Sequence, residues 1–270
     1  MKLSVIILTY NSGEYLERCL NSVKWADEII VIDSFSKDNT LELLNKFDVK
    51  LEQKEYLGYS RQLEYGIRKA SNEWILVLDH DEELSPELIS EIQNLDANSL
   101  SNYCGFEINR QVYFLGKWIS HGGWYPDYQF RLFNKRKIKF NHLEVHGSVR
   151  PNGTAGKLQN KIYHYTYSNL FAYLERINSY TSLHVSERID KNKKFKWYKL
   201  ILNPLSTFLR MFIGQKGYKD KMQGFILALY SAIYNLVLYS KLWEYQYSAA
   251  NKLELPPITV SDFQKQKSRV

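Results

Sequence analysis

Two aspartates, Asp79 and Asp81, follow an apolar run at a spacing that suits metal binding. They lie in the stretch W-I-L-V-L-D-H-D-E-E-L (74–84). Alternate residues of an extended segment point to the same side, so the two carboxylates can act together. Carboxylate oxygens are ligands that Mg²⁺ and Mn²⁺ prefer, and a pair of them leaves coordination positions open for a diphosphate. The spacing therefore predicts a divalent metal site.

The same stretch also fits a solvated acidic turn. Ser85 and Pro86 form a good N-cap and first helical turn, so the acids before them can be ordinary loop charge. A D-x-D pattern arises by chance in roughly half of chains of this length. We expect Glu82 to support the site from behind the aspartates and Glu83 to be helix-entry charge, and we assign no role to His80. The position of the aspartates in the fold has to decide.

Strands and helices are expected to alternate along the first 80 or so residues. Apolar runs predict strands at 3–8, 28–32, 49–53 and 74–78, with helices at 12–24, 41–47 and 60–70. Uninterrupted apolar strands that alternate with helices indicate an α/β fold with a parallel sheet covered on both faces. Ligands bind at the carboxyl ends of such strands, which here are the polar segments 9–12, 33–39 and 79–83. This position strengthens the metal-site prediction, and on position alone the metal site and the solvated turn are equally supported.

Several cofactor and targeting classes do not fit the sequence. The turn after the first strand contains one glycine, Gly13, so a nicotinamide or flavin site is not expected, and no Walker A pattern is present. Cys19 and Cys104 give neither a disulfide framework nor a metal knuckle, which favours a reducing compartment. The N-terminal apolar run is too short for a signal peptide and is followed by acids. We expect a cytoplasmic protein.

Beyond residue 102 the pattern changes. Short β-prone stretches such as 103–108 and 128–133 predict a mixed, loop-rich second half of the same domain, ending near residue 167. Helices are expected at 168–190, 197–213 and 222–240. The last has no charged residue in 19 positions, so it can be a membrane span, a helix lying in the membrane interface, or a buried helix of a globular unit.

Charge is distributed unevenly along the chain. Residues 1–100 contain 10 Lys and Arg against 19 Asp and Glu, a net charge of −9, and residues 101–270 contain 26 against 10, a net charge of +16. A basic, aromatic region suits an anionic membrane surface or a nucleic acid. A basic RNA-binding module and a catalytically inert membrane scaffold are therefore alternatives from other classes. Because no aromatic RNA-binding strand motif is present, we expect no nucleic acid partner.

Three motifs in order resemble family 2 glycosyltransferases, which have the GT-A fold. They are S-V-I-I-L-T-Y-N at 4–11, E-I-I-V-I-D-S-F-S-K-D-N-T at 28–40 and W-I-L-V-L-D-H-D-E at 74–82. The resemblance implies a metal-dependent transferase with a UDP-sugar donor and a Mg²⁺ or Mn²⁺ ion. It assigns nucleotide binding to Thr9, Tyr10, Asp33, Arg61 and Asp79, and metal binding to Asp81.

The second half is similar to the branch of this family that adds glucose to the inner core of bacterial lipopolysaccharide. The motifs are H-G-G-W-Y-P-D-Y-Q-F-R-L-F at 121–133, E-V-H at 144–146 and Y-H-Y-T-Y at 163–167, and the resemblance covers about residues 2–245. It implies inner-core heptose as the acceptor; a glycan linked to undecaprenyl diphosphate would satisfy the same physics. Gly147 departs from the family, which usually has an acid after the E-V-H histidine.

The resemblance also suggests a domain organisation. We expect a catalytic domain at 1–167, with a nucleotide-sugar half at 1–100 and an acceptor half at 101–167. A helical, membrane-associating region at 168–250 and a polar tail at 251–270 would follow. The basic charge and the amphipathic helices predict a peripheral protein on the cytoplasmic face of the inner membrane, where a lipid-linked acceptor is available.

An inverting transfer needs a base for the acceptor hydroxyl and a cation for the leaving diphosphate. Asp127 is the candidate base, although an aspartate after Pro126 also fits a plain turn. Arg131 is expected either to hold Asp127 ionised or to bind phosphate. Among the remaining candidates, His146 is a possible metal ligand or phosphate contact.

Three more residues are possible contacts of the sugar or the leaving group. They are His121, His164 and Trp124. A histidine in a β-rich region is more often a structural group, and a tryptophan is more often packed against apolar neighbours than stacked on a sugar.

Overall fold

The structure is a computed structural model that describes residues 1–141, 148–167 and 169–251. It divides into two units. The first comprises Met1–Val112 and Pro126–Thr166, and the second comprises Tyr113–Tyr125 and the chain from Tyr167 onward. In chain order the elements are β1 (Leu3–Thr9), α1 (Leu16–Val23), β2 (Glu28–Asp33), α2 (Thr40–Leu44), β3 (Lys50–Gln53), α3 (Tyr59–Lys69), β4 (Trp74–Asp79), β5 (Glu82–Leu84), α4 (Pro86–Gln93), α5 (Ala97–Asn102), β6 (Gly105–Phe114), β7 (Lys117–Trp118), β8 (Tyr128–Asn134), β9 (Ile138–Asn141), β10 (Ser148–Pro151), β11 (Ala155–Tyr167), α6 (Leu170–Asp190), α7 (Trp197–Leu209) and α8 (Lys221–Asn251).

Four parallel strands form one side of the main sheet. Their order is β3-β2-β1-β4, and helices α1, α2 and α3 connect them in sequence. Successive side chains of β1 alternate between two cores: Val5 and Ile7 pack with Leu16 of α1, whereas Ile6 packs with Leu63 of α3. The continuous apolar runs are therefore buried on both faces. The predicted α/β class and the order of the first seven elements are confirmed.

Antiparallel strands complete the sheet. It continues from β4 through β8, β6 and β11 to β5, with β8 antiparallel to β4 and β5 antiparallel to β11. Strands β9 and β10 pair separately. The predicted mixed second half is confirmed. Strand β5 was not expected, because its sequence E-E-L contains two acids and was interpreted as a turn.

Helix α1 begins four residues later than the sequence pattern predicts, at Leu16 instead of Ser12. The residues before it form a turn that is bonded to the segment after β2. The backbone N–H groups of Ser12 and Gly13 bond to Thr40 Oγ1 at 2.7 Å and to Asp38 Oδ2 at 3.2 Å. The ends of β1 and β2 are tied together as a result.

The second unit is mainly helical. Helices α6 and α8 pack around a core that includes Phe114, Ile119, Tyr173, Ile177 and Leu227. Helix α7 was predicted to continue to residue 213. It ends at Leu209, and the chain continues as a π-helical turn over Arg210–Gly214 and a 3₁₀ turn over Gly217–Asp220.

Much apolar surface in the second unit is open to solvent. None of the residues of α7 is buried, and its exposed apolar side chains include Trp197, Ile201, Leu202, Leu205 and Leu209. Among the described residues one helical stretch, Gly217–Asn251, is long and apolar enough to cross a membrane by length and composition, and a third of its most apolar window is buried within the protein. The predicted polar tail from residue 252 onward lies outside the described residues.

Gly66 is where α3 approaches the sheet most closely. A Cβ atom at this position would lie 2.7 Å from Ile6 Cγ2 and 3.2 Å from Ile32 Cγ1. We expect Gly66→Val to lower the free energy of unfolding by about 1–3 kcal/mol, because both isoleucines are buried and cannot move aside. Urea denaturation provides the measurement.

The matched control is Arg68→Val on the exposed side of the same helix, where the side chain is 76% exposed. It loses only a surface ion pair with Glu64, so a change of about 0.5 kcal/mol is expected. Equal effects of the two substitutions would contradict close packing at Gly66.

Candidate active site

The carboxylate of Asp33 ties together the ends of three parallel strands. It is fully buried at the end of β2 and accepts hydrogen bonds from Thr9 Oγ1 at 3.1 Å, the Ser36 N–H at 2.9 Å and Gln53 Nε2 at 3.2 Å, as well as from the Ser36 hydroxyl. Two predicted nucleotide-binding residues, Thr9 and Asp33, are therefore in direct contact. Tyr10, the next predicted residue, is half-buried beside them.

On helix α3, Gln62 faces the strand ends around Asp33, whereas the predicted residue Arg61 does not. Arg61 is exposed, whereas Gln62 is buried and donates from Nε2 to Ser34 Oγ and to the Lys54 carbonyl, both at 3.1 Å. Gln62 Oε1 is buried and has no hydrogen-bond partner among the described residues. A buried acceptor without a partner is costly, so this oxygen is suited to a donor from a ligand.

Asp79 is paired with Arg131. The carboxylate at the end of β4 accepts from Arg131 Nη2 at 2.5 Å, and Arg131 Nη1 also donates to the Tyr59 hydroxyl at 3.2 Å. Burial by itself would raise the pKa of Asp79, but the charge and hydrogen bond of Arg131 outweigh it and hold the pKa below its usual value. Burial by itself would lower the pKa of Arg131, but the charges of Asp79 and Glu82 outweigh it and raise the pKa. Asp79 is therefore ionised in the folded protein.

A buried glutamate joins two arginines at the centre of the site. Glu82 on β5 accepts at Oε1 from Arg131 Nη2 at 2.8 Å and from Arg110 Nη1 at 3.1 Å, and at Oε2 from the Asp79 N–H at 3.0 Å. Arg110 on β6 donates from Nε to Asp127 Oδ2 at 2.8 Å. Five side chains thus form a continuous chain of ion pairs, in the order Asp79–Arg131–Glu82–Arg110–Asp127. We call this chain the ion-pair relay.

Asp127, the candidate base, is held by several groups. Besides Arg110, Gln129 Nε2 donates to its Oδ1 at 2.6 Å, and its own N–H bonds to Asn109 Oδ1 at 2.9 Å. The predicted pairing of Arg131 with Asp127 is wrong. Arg131 pairs with Asp79 and Glu82, and Arg110 pairs with Asp127 instead. Side chains four apart on a strand lie more than 10 Å from each other, so spacing alone misassigned the pair.

Asp81 contacts His164 from β11. His164 Nε2 lies 3.3 Å from Asp81 Oδ2, and β11 runs beside β5, where His164 is opposite Glu82. Burial lowers the pKa of His164, but the Asp81 charge and hydrogen bond outweigh it and raise the pKa. His164 Nδ1 is buried and has no hydrogen-bond partner among the described residues. His164 therefore belongs to the same strand-end cluster as the two aspartates.

Glu82 and Glu83, the two acids that follow Asp81, are not simply solvated charges of a loop. Glu82 is 1% exposed and lies between the arginines, so it supports Asp79 directly. Glu83 accepts a hydrogen bond from the Tyr165 hydroxyl at 3.1 Å, so it is more than helix-entry charge. No sequence signal pointed to Arg110 or Tyr59, because their contacts join strands and helices far apart in the chain.

His121 and Trp124 belong to the second unit. The N–H of His121 donates to Asp220 Oδ2 at 2.7 Å, and the Ser120 hydroxyl donates to Asp220 Oδ1 at 3.1 Å. Asp220 is buried and was not among the predicted residues. Trp124 is partly buried against the core that contains Phe114, so apolar packing accounts for its position. His146, with the rest of the E-V-H motif and Gly147, lies outside the described residues.

The donor set at the strand end fits a metal ion that arrives with its substrate. Among the described residues no group of three or more His, Cys, Asp or Glu side chains could hold a metal. Asp79 and Asp81 still supply two carboxylates: Arg131 and the Tyr59 hydroxyl donate to Asp79, at 2.5 Å and 3.5 Å, and His164 lies beside Asp81. Mg²⁺ is commonly bound through one or two carboxylates, with phosphate and water completing its shell. A diphosphate would supply the missing ligands.

The relay predicts that substitutions of two adjacent glutamates differ greatly in their effect on the stability of the protein. We expect Glu82→Gln to lower the free energy of unfolding by about 3 kcal/mol, because it removes a buried charge between two guanidinium groups that each keep one other carboxylate. Glu83→Gln is the matched control and should cost about 1 kcal/mol or less, since the glutamine amide oxygen can still accept the hydrogen bond from the Tyr165 hydroxyl. Guanidinium unfolding measures both, and equal losses would show that Glu82 does not join the arginines.

Comparison with known proteins places the chain in a family. The model of glycosyl transferase family 2 matches residues 4–152, which are 149 of the 270 residues. An uncharacterized glycosyltransferase of Rickettsia typhi is 28% identical over 261 residues, covering 93% of this chain and 89% of the relative. The lipopolysaccharide core biosynthesis glycosyltransferase LpsC of Rhizobium meliloti is 24% identical over 251 residues, covering 90% and 93%.

Among solved structures, S. aureus TarS 1-349 in complex with UDP-GlcNAc is similar over 92% of each chain, with 17% identity and a TM-score of 0.49. The family assignment depends instead on the match of more than half of this chain to the family model. It agrees with the three strand-end motifs, whose residues Thr9, Asp33 and Asp79 meet at one edge of the sheet. The chain therefore belongs to glycosyl transferase family 2 and is a glycosyltransferase.

Proposed function

We propose that the protein is an inverting, metal-dependent glucosyltransferase that uses UDP-glucose and transfers to a lipid-linked saccharide, with inner-core heptose of lipopolysaccharide as the acceptor. The observation that carries the proposal is the relay of ion pairs, which connects the aspartate of the D-x-D motif to the candidate base Asp127. A transferase needs a donor-side group and an acceptor-side group at a fixed separation, and the relay provides that connection.

The nucleotide would bind at the ends of β1 and β2. Thr9, Tyr10 and Asp33 line this edge, and Gln62 adds a buried carbonyl oxygen there that accepts no hydrogen bond from the described residues. A uracil ring presents an N–H donor next to two carbonyl acceptors, which suits an edge that combines an acceptor with nearby donors. Arg61, exposed on the same helix as Gln62, remains a predicted contact of the nucleotide sugar.

The diphosphate would bind at the end of β4. Asp79 and Asp81 are the residues that would hold Mg²⁺ or Mn²⁺, with His146 as a further predicted ligand. When bound, the ion would neutralise charge that develops on the departing diphosphate. Arg131 holds the Asp79 carboxylate in one orientation, and His164 does the same for Asp81. Both neighbours therefore prearrange the carboxylates.

The acceptor hydroxyl would be deprotonated by Asp127 as it attacks the anomeric carbon. The proton passes from the hydroxyl to the carboxylate, the new glycosidic bond forms, and the bond to the diphosphate breaks with inversion. Arg110 and Gln129 fix the orientation of Asp127 for this step. His121 and Trp124 remain candidate contacts for sugar or phosphate, on the part of the chain assigned to the acceptor.

Three observations support a lipid-linked, phosphorylated acceptor. The name of the Rhizobium relative refers to lipopolysaccharide core biosynthesis. Residues 101–270 carry a net charge of +16. Helix α7 exposes a continuous apolar surface, which suits a peripheral position on the cytoplasmic face of the inner membrane. The helical region after residue 167 would then be the membrane-associating part.

A panel of sugar nucleotides tests the donor. With Mn²⁺ present, UDP-glucose should raise the melting temperature more than GDP-, ADP- or dTDP-linked sugars, because a ligand that binds only the folded state stabilises it. Asp79→Ala/Asp81→Ala should abolish both this shift and sugar transfer, with the circular dichroism spectrum retained. His80→Ala, between the two aspartates, is the control and should keep the shift. Normal transfer by the double variant would refute the metal assignment.

Asp127→Asn separates the base from donor binding. We expect transfer to fall by roughly 10²–10⁴-fold, while protection by UDP-glucose and Mn²⁺ is unchanged. Glu107→Gln on β6, whose side chain is 38% exposed, is the control for loss of one negative charge in the same unit. If the Asn variant keeps more than about a tenth of the transfer rate, Asp127 is not the base.

A further inference from the structure

The second unit contains a cavity, lined by aromatic, apolar and polar side chains, that the proposed function does not use. It has a volume of about 420 Å³ and lies between α6, α7 and α8, with Tyr167 at the end of β11 also in its wall. This volume is in the range of sites that hold a small ligand. All of its lining residues belong to the second unit.

The charge of the cavity is positive. Among the described residues that line it, Arg176 and Arg210 are the only charged ones. The guanidinium of Arg176 lies 5.3 Å from the centre of the Tyr167 ring and 5.2 Å from that of Tyr180, and its Nη2 donates to the Tyr180 hydroxyl at 3.3 Å. Two aromatic rings therefore hold this planar cation, which is an arrangement suited to an anion with several oxygens.

Neutral polar groups complete the wall. Asn235 Nδ2 donates to Thr207 Oγ1 at 3.1 Å, and Ser231 also lines the cavity. Hydroxyl and amide groups of this kind bind sugar or glycerol hydroxyls, which present both donors and acceptors. The wall thus combines an anion-binding part with a part that suits a polyol.

The rim of the cavity adjoins the exposed apolar surface of α7. Arg210, which is exposed, follows Leu209 directly and precedes Ile213 by three residues, and these two apolar side chains are 43% and 59% exposed. Residues three apart in a helical segment are neighbours on its surface. Arg210 also opens the π-helical turn Arg210–Gly214, and π-helical turns occur frequently at functional sites.

We propose that this cavity binds the phosphate-bearing head group of the lipid-linked acceptor while the apolar side chains of α7 contact the bilayer. The inference rests on the proposed function, because it assigns a position to the acceptor lipid. A phosphorylated head group offers anionic oxygens to the two arginines and hydroxyl groups to the neutral polar wall, and its acyl chains account for the apolar residues beside the rim. Head-group binding here is a second site, built by residues other than the donor-binding strand ends.

Vesicle co-sedimentation tests the proposal with the full chain. Phosphatidylcholine vesicles containing phosphatidic acid serve as the probe, because this lipid presents a phosphomonoester head group. We expect Arg176→Gln/Arg210→Gln to weaken binding about tenfold or more, since two cations that contact the head group are lost. The matched control is Lys193→Gln/Lys194→Gln, which removes two exposed charges outside the cavity. It should weaken binding less than about threefold.

Equal loss in the two double variants would overturn the proposal in favour of general surface charge, and no loss in the cavity variant would overturn it outright. Arg210→Gln alone is included because Arg210 is exposed, so its substitution should disturb folding little. This single variant should lose part of the vesicle binding that the double variant loses. If inorganic phosphate raises the melting temperature of the unmodified protein but not of the cavity variant, while the cavity variant binds vesicles as the unmodified protein does, the occupant is free phosphate and the lipid assignment is wrong.

Protection by UDP-glucose and Mn²⁺ is scored on the same preparations. If UDP-glucose and Mn²⁺ give no protection but the cavity variant still loses vesicle binding selectively, the proposed donor is refuted and the cavity assignment is retained. If protection is intact but the cavity variant shows no selective loss of vesicle binding, only the cavity assignment is refuted. The two proposals can therefore fail separately.

Discussion

The architecture of the site depends on one buried carboxylate between two guanidinium groups. Glu82 lies between Arg131 and Arg110, and each arginine also pairs with a second acid, Asp79 or Asp127. Charges removed from water are tolerated only when they are paired and hydrogen-bonded, so the five side chains must be arranged together. That requirement fixes β4, β5, β6 and the start of β8 relative to one another. The positions of Asp79 and Asp127 follow from it.

Such a relay is a poor source of stability by itself. Ion pairs in a protein interior recover their desolvation cost only with good geometry, and an apolar replacement of similar volume is often no less stable. Its benefit is geometrical: a carboxylate that accepts bonds in fixed directions holds Asp79 and Asp127 more precisely than apolar packing would. A transferase depends on this, because an error of about 1 Å between reacting groups lowers the rate by orders of magnitude.

The sequence predicted the parts of the site that lie within one motif. Strands β1, β2 and β4 could be located because buried parallel strands have continuous apolar runs, and the residues after them had to share one edge. Arg110 could not be assigned, because its partner depends on the register of β6 against β8, which places Asn109 opposite Tyr128. Gln62 was missed because the resemblance assigned a role only to the arginine beside it, Arg61. Adjacent residues on a helix point about 100° apart, so the two side chains face different surroundings.

Strand β5 shows why the acidic stretch was misinterpreted in part. Two glutamates in three residues predict a solvated turn, because isolated carboxylates avoid burial. Here the neighbouring strands supply the arginines that make burial of Glu82 possible. Only the three-dimensional pairing reveals this, since Arg110 and Arg131 lie 28 and 49 residues away in the chain.

The same pairing changes the interpretation of charge asymmetry. Counted along the sequence, the acidic first hundred residues and the basic remainder suggested separate external partners. Arg110 and Arg131 are counted in the basic part, yet they neutralise Asp79 and Glu82 of the acidic part within one folded unit. Part of the asymmetry is therefore internal complementarity. In the helical unit, by contrast, Arg176 and Arg210 line a cavity whose described lining residues include no acid, so this positive charge is placed where a phosphorylated acceptor could meet it.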